Sequence, residues 1–446
     1  MAQLFGTDGI RGEANLTLTG ELAEKIGRYL GYRFSLEKRG KIIIGHDTRI
    51  SSSMFEAALT LGITEAGSDA YLVGVCSTPA ISYLMSVHDF DCGIMISASH
   101  NVYSDNGIKV FVKGGYKIDE TLQMEISQAI VNHTEIPYAL KDKIGVSHNF
   151  ASGILEYYSY LKSLFNFNLS HLKIGLDLAN GSATAGAKNL FESFKAQVLT
   201  TADQPTGTNI NDNTGSTHIE NLQKFVKENN CDLGFAFDGD ADRVIAVDEN
   251  GEIVNGDKIL YLCGLYKAKH GLLKARTIVT TQMANYGLLK ALKAQDLKYV
   301  ITSVGDKYVY EAMELDGYNL GGEQSGHIIF KKHALTGDGQ LAALKILEVM
   351  MAEDASLATL TKDVKIYPQI LENIKVQDKR VVLNHPNLLK VIAEVQEKLN
   401  DEGRILVRPS GTEDLIRVMV EANSIELCEM YTNKVVKEIK QILKSI

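Results

Sequence analysis

Short apolar runs alternate with amphipathic helical stretches along almost the whole of this 446-residue chain, a rhythm that restricts it to α/β units. "KIIIG" (41–45) has the length and β-branched content of a buried strand, and Ser53 to Ala66 follows as a helix. "AYLVGV" (70–75) and "CGIMIS" (92–97) repeat the strand signal. A second unit opens after the polar stretch "NHTEIPYALKDK" (132–143). It carries a helix near 151–165, the strand "LKIGLDL" (172–178), the helix "ENLQKFVKENN" (220–230) and the strand "LGFAF" (233–237). A third begins near Gly256 with a long helix and runs through "TIVTT" (277–281) and "YVITSV" (299–304) to "GGEQSGHIIF" (321–330). From about Tyr367 the pattern changes to the strand "ILENIKV", the helix "NLLKVIAEVQEKLN", the strands "RILVRPS" and "LIRVMVEA", and a terminal helix (426–443).

The expected fold is therefore α/β: three consecutive α/β domains with mixed sheets (1–148, 149–252 and 253–365) and a smaller C-terminal α+β domain (366–446). Each α/β unit ends a strand in a loop rich in Gly, Ser and Asp. Ligands of such sheets sit at strand ends, so the domains are expected to face one central cleft.

A formal net charge of −9 argues against nucleic acid or an anionic membrane as the main partner. The start "MAQLFGTDGIRG" has no basic segment followed by an apolar one, and no run approaches 18 apolar residues. A cytoplasmic protein acting on a small molecule is expected, as a monomer or homodimer. Five scattered cysteines without a Cys-x-x-Cys read as reduced, buried thiols. Of 46 basic residues only 11 are arginine, and Arg11, Arg49, Arg243, Arg408 and Arg417 are expected in turns. Arginine's planar fork suits phosphate, which points to a phosphorylated ligand.

Four loops carry chemistry. In "DGDADR" (238–243), Asp238, Asp240 and Asp242 share one face of an extended backbone and can converge on a cation. Hard oxygen ligands suit Mg²⁺ or Ca²⁺. An EF-hand is excluded, because its sixth position needs glycine and here holds Arg243, and because the flanks are strand-like. In "ISASHNVYSDNGIKVF" (96–111), Ser99 and His100 sit where an apolar strand breaks into a turn, and Lys109 follows ten residues on. No Gly-x-Ser-x-Gly elbow surrounds the serine, so a hydrolase reading is weak. "GGEQSGH" (321–327) offers Glu323, Gln324, Ser325 and His327 between glycines, apt for sugar hydroxyls or, equally, a plain hairpin turn. "VRPSGTEDLIRV" (407–418) sets Arg408, Ser410, Gly411 and Thr412 between two strands as a phosphate cradle. "GHDTR" (45–49) and "SVGDKYV" (303–309) read as supporting turns.

With "FGTDGIRG" (5–12), "SASHN" (97–101), "DGDADR", "GGEQSGH" and "RPSGTE" (408–413) in that order, the chain resembles the α-D-phosphohexomutase superfamily over essentially its whole length. Ser97 and Gln324 resemble the bacterial branch acting on glucosamine phosphate. The resemblance implies that Ser99 is carried as a phosphoserine and that Asp238, Asp240 and Asp242 hold one Mg²⁺ per subunit together with that phosphate. It also implies that Glu323, Ser325 and His327 meet the sugar, and that Arg408, Ser410, Gly411, Thr412 and Arg417 grip the phosphate not being transferred. A phosphoserine brings close to two negative charges, which Mg²⁺, Arg243 and Arg11 are placed to balance. Lys109 is the candidate for moving the hydroxyl proton, with His100 or His327 second; a lysine needs a lowered pKa for this. Three departures from the family pattern stand out: Val102 for proline, His46 for arginine and Lys307 for arginine. The first bears on loop rigidity, the others on a phosphate-side contact.

The implied reaction interconverts glucosamine 6-phosphate and glucosamine 1-phosphate through a sugar 1,6-bisphosphate that is both activator and intermediate, feeding UDP-N-acetylglucosamine and cell-wall precursor synthesis. A phosphoglucomutase/phosphomannomutase of the same superfamily is the alternative. A sugar-phosphate-binding regulator without chemistry is disfavoured by the intact Ser99, aspartates and Lys109.

Overall fold

The computed structural model describes residues 4–6, 8–410 and 414–445, which divide into two compact units, Met1–Met283 with Asp296–Lys362, and Ala284–Gln295 with Asp363–Ile446. The larger unit opens with β1 (Ile10–Glu13), α1 (Gly20–Ser35), β2 (Lys41–His46), α2 (Ser52–Glu65), β3 (Asp69–Val75), α3 (Thr78–Val87), β4 (Cys92–Ile96), β5 (Asp105–Val112), β6 (Tyr116–Lys117), α4 (Glu120–Val131) and β7 (Ser147–Asn149). The Thr19 hydroxyl accepts the Leu22 N–H and starts α1. Ala23, Ile26 and Leu30 on α1 bury with Phe55, Leu59 and Ile63 on α2 over the fully buried Ile42 and Ile44 of β2, the apolar stripes of two helices closing one face of the sheet. That sheet runs β1-β5-β4-β2-β3-β7 with β6 on β5. It is parallel from β4 through β2 and β3 to β7, and antiparallel at β1, β5 and β6.

A second sheet follows, from α5 (Gly153–Ser163), β8 (Lys173–Asp177), α6 (Ala187–Glu192), β9 (Gln197–Thr201), α7 (Glu220–Glu228), β10 (Leu233–Phe237), β11 (Val244–Val247) and β12 (Ile253–Val254). Its order is β12-β11-β10-β8-β9, parallel around β8 and antiparallel at β11 and β12. The third sheet, β14-β13-β15-β16, is built from β13 (Thr277–Thr281), β14 (Lys298–Thr302), β15 (Gly321–Gly322) and β16 (Ile328–Ile329). The helices α8 (Gly256–Lys269), α10 (Asp306–Asp316), α11 (Gly339–Glu353) and α12 (Leu357–Thr361) complete this unit, whereas α9 (Tyr286–Ala294) belongs to the other. All three sheets are mixed, as expected.

The smaller unit is the expected α+β fold. An antiparallel sheet β17-β19-β18, of β17 (Gln369–Lys375), β18 (Gly403–Pro409) and β19 (Leu415–Ala422), packs on α14 (Pro386–Leu399) and α15 (Ile425–Ser445), with α13 (Lys379–Leu383) beside them. Glu421, fully buried in β19, accepts from Arg404 Nε (2.7 Å) and from the Tyr286 N–H at the start of α9. This buried carboxylate ties α9 into the unit.

The five arginines expected in turns divide. Arg49 and Arg243 are in turns, but Arg11 lies on β1, Arg408 on β18 and Arg417 on β19. Strand pairing fixes those three more firmly than a loop would. All five cysteines are unbridged and buried. No helix among the described residues is long and apolar enough to cross a membrane.

Candidate active site

Strand β4 breaks at Ser97, and Ser99 adopts φ +53°, the left-handed region that costs a non-glycine residue roughly 1–3 kcal/mol. Two sets of contacts impose it. The Ser99 N–H donates to Ser97 Oγ (2.9 Å), which donates to Asp47 Oδ2 (2.7 Å). Arg49, fully buried and paired through Nε to Asp47 (2.8 Å), donates to the carbonyls of Ser99 (3.0 Å), Asn101 (2.8 Å), Val102 and Asp105 (3.0 Å). From the segment between β9 and α7, Asn211 Nδ2 donates to the Ser99 and Asn101 carbonyls, each at 2.9 Å. Thus "GHDTR" is a supporting turn, as expected, and what it supports is the serine loop. Val102, where proline is usual, is exposed, and the Arg49 fork supplies the rigidity in question.

The acidic loop between β10 and β11 presses on this turn. A Cβ on Gly239 would lie 2.5 Å from the Ser99 carbonyl oxygen, so only glycine allows the approach. Ser99 Oγ donates to Asp238 Oδ2 at 2.6 Å. Ligand oxygens of Asp238, Asp240 and Asp242 lie within 4.8 Å of one another, and all three residues are buried. Asp240 Oδ2 accepts from Thr78 Oγ1 and from Lys109 Nζ (2.7 Å), and Asp242 Oδ2 lies 3.2 Å from the same ammonium. Asp240 Oδ1 and Asp242 Oδ1 are buried without a hydrogen-bond partner. Two orphaned carboxylate oxygens in an all-oxygen cluster are the donor set of a hard divalent cation, and the residues fit Mg²⁺.

Electrostatics tell the same story. Burial, then the charges of Asp242 and Asp240, push Asp238 well above the ordinary carboxylate range. Against its own burial, Lys109 and then His327 hold Asp242 well below that range. One member of the cluster is driven toward its neutral form, so the site is short of positive charge.

Lys109 departs from expectation. Burial opposes its charge, but Asp240, Asp8 (2.8 Å) and Asp242 hold its ammonium well above the ordinary lysine value. The lowered pKa a lysine base requires is absent, because folding surrounds this ammonium with three carboxylates. His100 behaves oppositely. Burial, then the nearby Arg243 and Arg11 guanidiniums, push its imidazole down to about 4, and Nδ1 lies 3.3 Å from Ser99 Oγ. Arg11 pairs with Asp8 (2.8 Å), and Arg243 Nε lies 3.8 Å from Asp242. The Nε atoms of both arginines are buried without a hydrogen-bond partner.

The "GGEQSGH" loop joins β15 to β16 and leans on the acidic loop: a Cβ on Gly326 (φ +90°) would lie 2.1 Å from the Val244 carbonyl oxygen. Glu323 Oε1 accepts the Gly305 N–H (3.1 Å), so "SVGDKYV" also serves as a support, while Ser325 is exposed. His327 points inward. Its Nε2 accepts the Gly337 N–H (2.8 Å), so Nδ1 carries the proton, 3.6 Å from Asp242 Oδ1. Of the other departures, His46 faces Glu56 (3.6 Å) and Lys307 pairs with Glu120 (2.7 Å).

In the smaller unit, Arg408 and Arg417 stand directly opposite each other on β18 and β19. Like charges at such positions are destabilising, which favours an anion there; burial, then Arg417, lower the Arg408 pKa. Ser410 is buried beside them, and Gly411 and Thr412 lie outside the described residues.

Sequence reasoning missed a relay: Asp8 Oδ1 accepts from the half-buried Lys117 Nζ (2.6 Å), which also pairs with Asp306 at the start of α10. Asp8 lies within the quoted "FGTDGIRG"; nothing local marks Lys117 or Asp306.

Comparison with known proteins agrees with this geometry. Models of the phosphoglucomutase/phosphomannomutase α/β/α domains I, II and III match residues 2–136, 155–251 and 255–367, and that of the C-terminal domain matches 371–438. The chain belongs to this family of α-D-phosphohexomutases, and it is an isomerase. It is 51% identical to a phosphoglucosamine mutase of Lachnoclostridium phytofermentans over 99% of both chains. Among solved structures, a phosphoglucomutase/phosphomannomutase family protein of Burkholderia thailandensis superimposes with a TM-score of 0.80 at 23% identity over 97% of each chain. The Aspergillus fumigatus N-acetylphosphoglucosamine mutase, solved with GlcNAc-6P and magnesium, has a TM-score of 0.69 at 16% identity, covering 99% of this chain and 95% of that one.

Proposed function

We propose that the enzyme interconverts glucosamine 6-phosphate and glucosamine 1-phosphate, with Ser99 carrying the phosphoryl group and a glucosamine 1,6-bisphosphate turning over between the two half-reactions. The observation that carries this reading is the 2.6 Å hydrogen bond from Ser99 Oγ into the aspartate cluster. It sets a strained, clamped hydroxyl beside a cluster that also holds the orphaned oxygens of Asp240 and Asp242.

Asp238, Asp240 and Asp242 would hold Mg²⁺, which, when bound, offsets charge on the phosphoryl group in transfer. The serine loop holds Oγ in line. In the forward half-reaction the sugar hydroxyl oxygen bonds to phosphorus, the Ser99 Oγ–P bond breaks, and the hydroxyl proton passes to a base while Oγ gains one. His100, neutral at pH 7 and 3.3 Å from Oγ, is suited to holding and returning a proton there. Lys109, kept protonated, acts as a fixed charge and donor. Arg11 and Arg243 offer further donors to the phosphate, each charge-assisted bond contributing about 1.5–3 kcal/mol. Glu323 and Ser325 bind sugar hydroxyls, while His327 orients the Asp242 side of the site. Arg408, Arg417 and the loop of Ser410, Gly411 and Thr412 bind a phosphate group. The domains are read as 1–148, 149–252, 253–365 and 366–446.

The test is kcat/KM on glucosamine 6-phosphate and glucose 6-phosphate side by side, with the matching bisphosphate present. Glucosamine 6-phosphate should be favoured at least about tenfold, a gap of ~1.4 kcal/mol that fits one lost amine contact. Preference for glucose or mannose 6-phosphate would overturn the substrate assignment and leave the mutase chemistry standing.

A further inference from the structure

Helices α8 and α11 pack against each other, and beside them the segment after β16 closes a cavity of about 370 Å³. Lys267 enters it from α8, Lys345 and Glu348 from α11, and Lys332 and His333 from the segment. Lys345 pairs with Glu348 at 2.9 Å and lies over the Phe165 ring at 4.7 Å. Among the described residues no ion pair reaches Lys267 or Lys332. Three ammonium groups therefore face one carboxylate in a concave, partly buried space, leaving about two positive charges unbalanced.

The surroundings register that imbalance. Burial, then Lys345, hold Lys267 below the ordinary lysine value. Burial, then Lys345, Lys332 and Lys267, push His333 down to about 4, so its imidazole is neutral and adds no charge. A phosphate monoester carries close to two negative charges at neutral pH, which matches the surplus. The cavity exceeds what a bare phosphate needs and lies in the range of small-molecule sites, roughly 300–1,000 Å³. Phe330, Leu164 and Tyr266 supply apolar wall for an organic group.

We propose that this cavity is a second ligand site, which binds an organic phosphate monoester through Lys267, Lys332 and Lys345, with the organic part against Phe330 and Tyr266. None of these residues belongs to the Ser99 site, and the inference does not rest on the reaction proposed above.

Calorimetric titration of phenyl phosphate, with inorganic phosphate as reference, tests it. Mg²⁺ and one equivalent of sugar bisphosphate are present, enough to fill the Ser99 site without leaving free bisphosphate to compete for the cavity. Wild type is expected to bind one equivalent of phenyl phosphate, more tightly than inorganic phosphate and more weakly as salt rises. Lys267→Gln and Lys332→Gln should each weaken it at least tenfold, with turnover in its absence unchanged. Lys332 is exposed, so its variant carries the test should Lys267→Gln fold poorly. Equal affinity in wild type and Lys332→Gln, no binding at all, or inorganic phosphate binding as tightly as the ester would overturn the proposal.

Discussion

The Arg49 guanidinium donates at 3.0 Å to the carbonyl of Ser99, the residue whose hydroxyl touches the aspartate cluster. A buried arginine thus holds the backbone of the nucleophile from behind, without touching the reacting atoms, and keeps a left-handed serine in place. Lysine retains the charge but not the planar fork. Arg49→Lys should fold with a lowered melting temperature and lose at least about tenfold in kcat, which corresponds to ~1.4 kcal/mol of alignment. An unchanged kcat would mean the clamp is dispensable. Arg49→Ala should be worse in a different way, because Asp47 is left as an uncompensated buried charge, a loss of about 3–5 kcal/mol in stability.

Asp240 accepts from Thr78 and Lys109 through one oxygen and leaves the other unpartnered. Asp240→Asn removes an anionic ligand while keeping shape. Activity should fall by two orders of magnitude or more and should require Mg²⁺ in the parent, with EDTA abolishing turnover and added Mg²⁺ restoring it. Zinc should restore it poorly, since the cluster is all oxygen. Undiminished turnover after EDTA would refute the cation assignment.

His333 gives a pH signature. Its folded pKa of about 4 lies below the unfolded value near 6.5, through burial and then Lys345, Lys332 and Lys267. The unfolded chain therefore binds the extra proton first as pH falls. Stability from the neutral imidazole is fully present above about pH 6.5 and is lost progressively toward pH 4. Melting temperatures at pH 7 and pH 5 should differ less in His333→Gln than in wild type. An identical difference would mean that His333 does not titrate as its surroundings dictate.

Much of this was legible in the sequence because its signals are local. Strand runs such as "KIIIG" and "LGFAF" bury every residue but Lys41. The "DGDADR" carboxylates do converge, but not through the extended backbone expected: the segment is a turn, with the Ala241 N–H donating to the Asp238 carbonyl and Ala241 at φ +55°, which folds the three side chains together. What stayed hidden depends on separation along the chain. Arg49 lies 50 residues from the carbonyl it holds, and Lys117 lies 189 from Asp306. The protonation of Lys109 hinged on how many carboxylates folding would gather round it, and three arrived, two of them from another domain. The two-residue strands at this loop, Gly321–Gly322 within "GGEQSGH" and Ile328–Ile329 just after it, were equally illegible, since so short a run has no period.

The central claim is that Ser99 carries the phosphoryl group, and intact-protein mass tests it most directly. After incubation with a sugar 1,6-bisphosphate and Mg²⁺, wild type should gain the mass of one phosphate, mapping by peptide fragmentation to Ser99. Ser99→Ala should gain none and lose nearly all turnover. A phosphate on Ser97, or an active Ser99→Ala enzyme, would contradict the assignment.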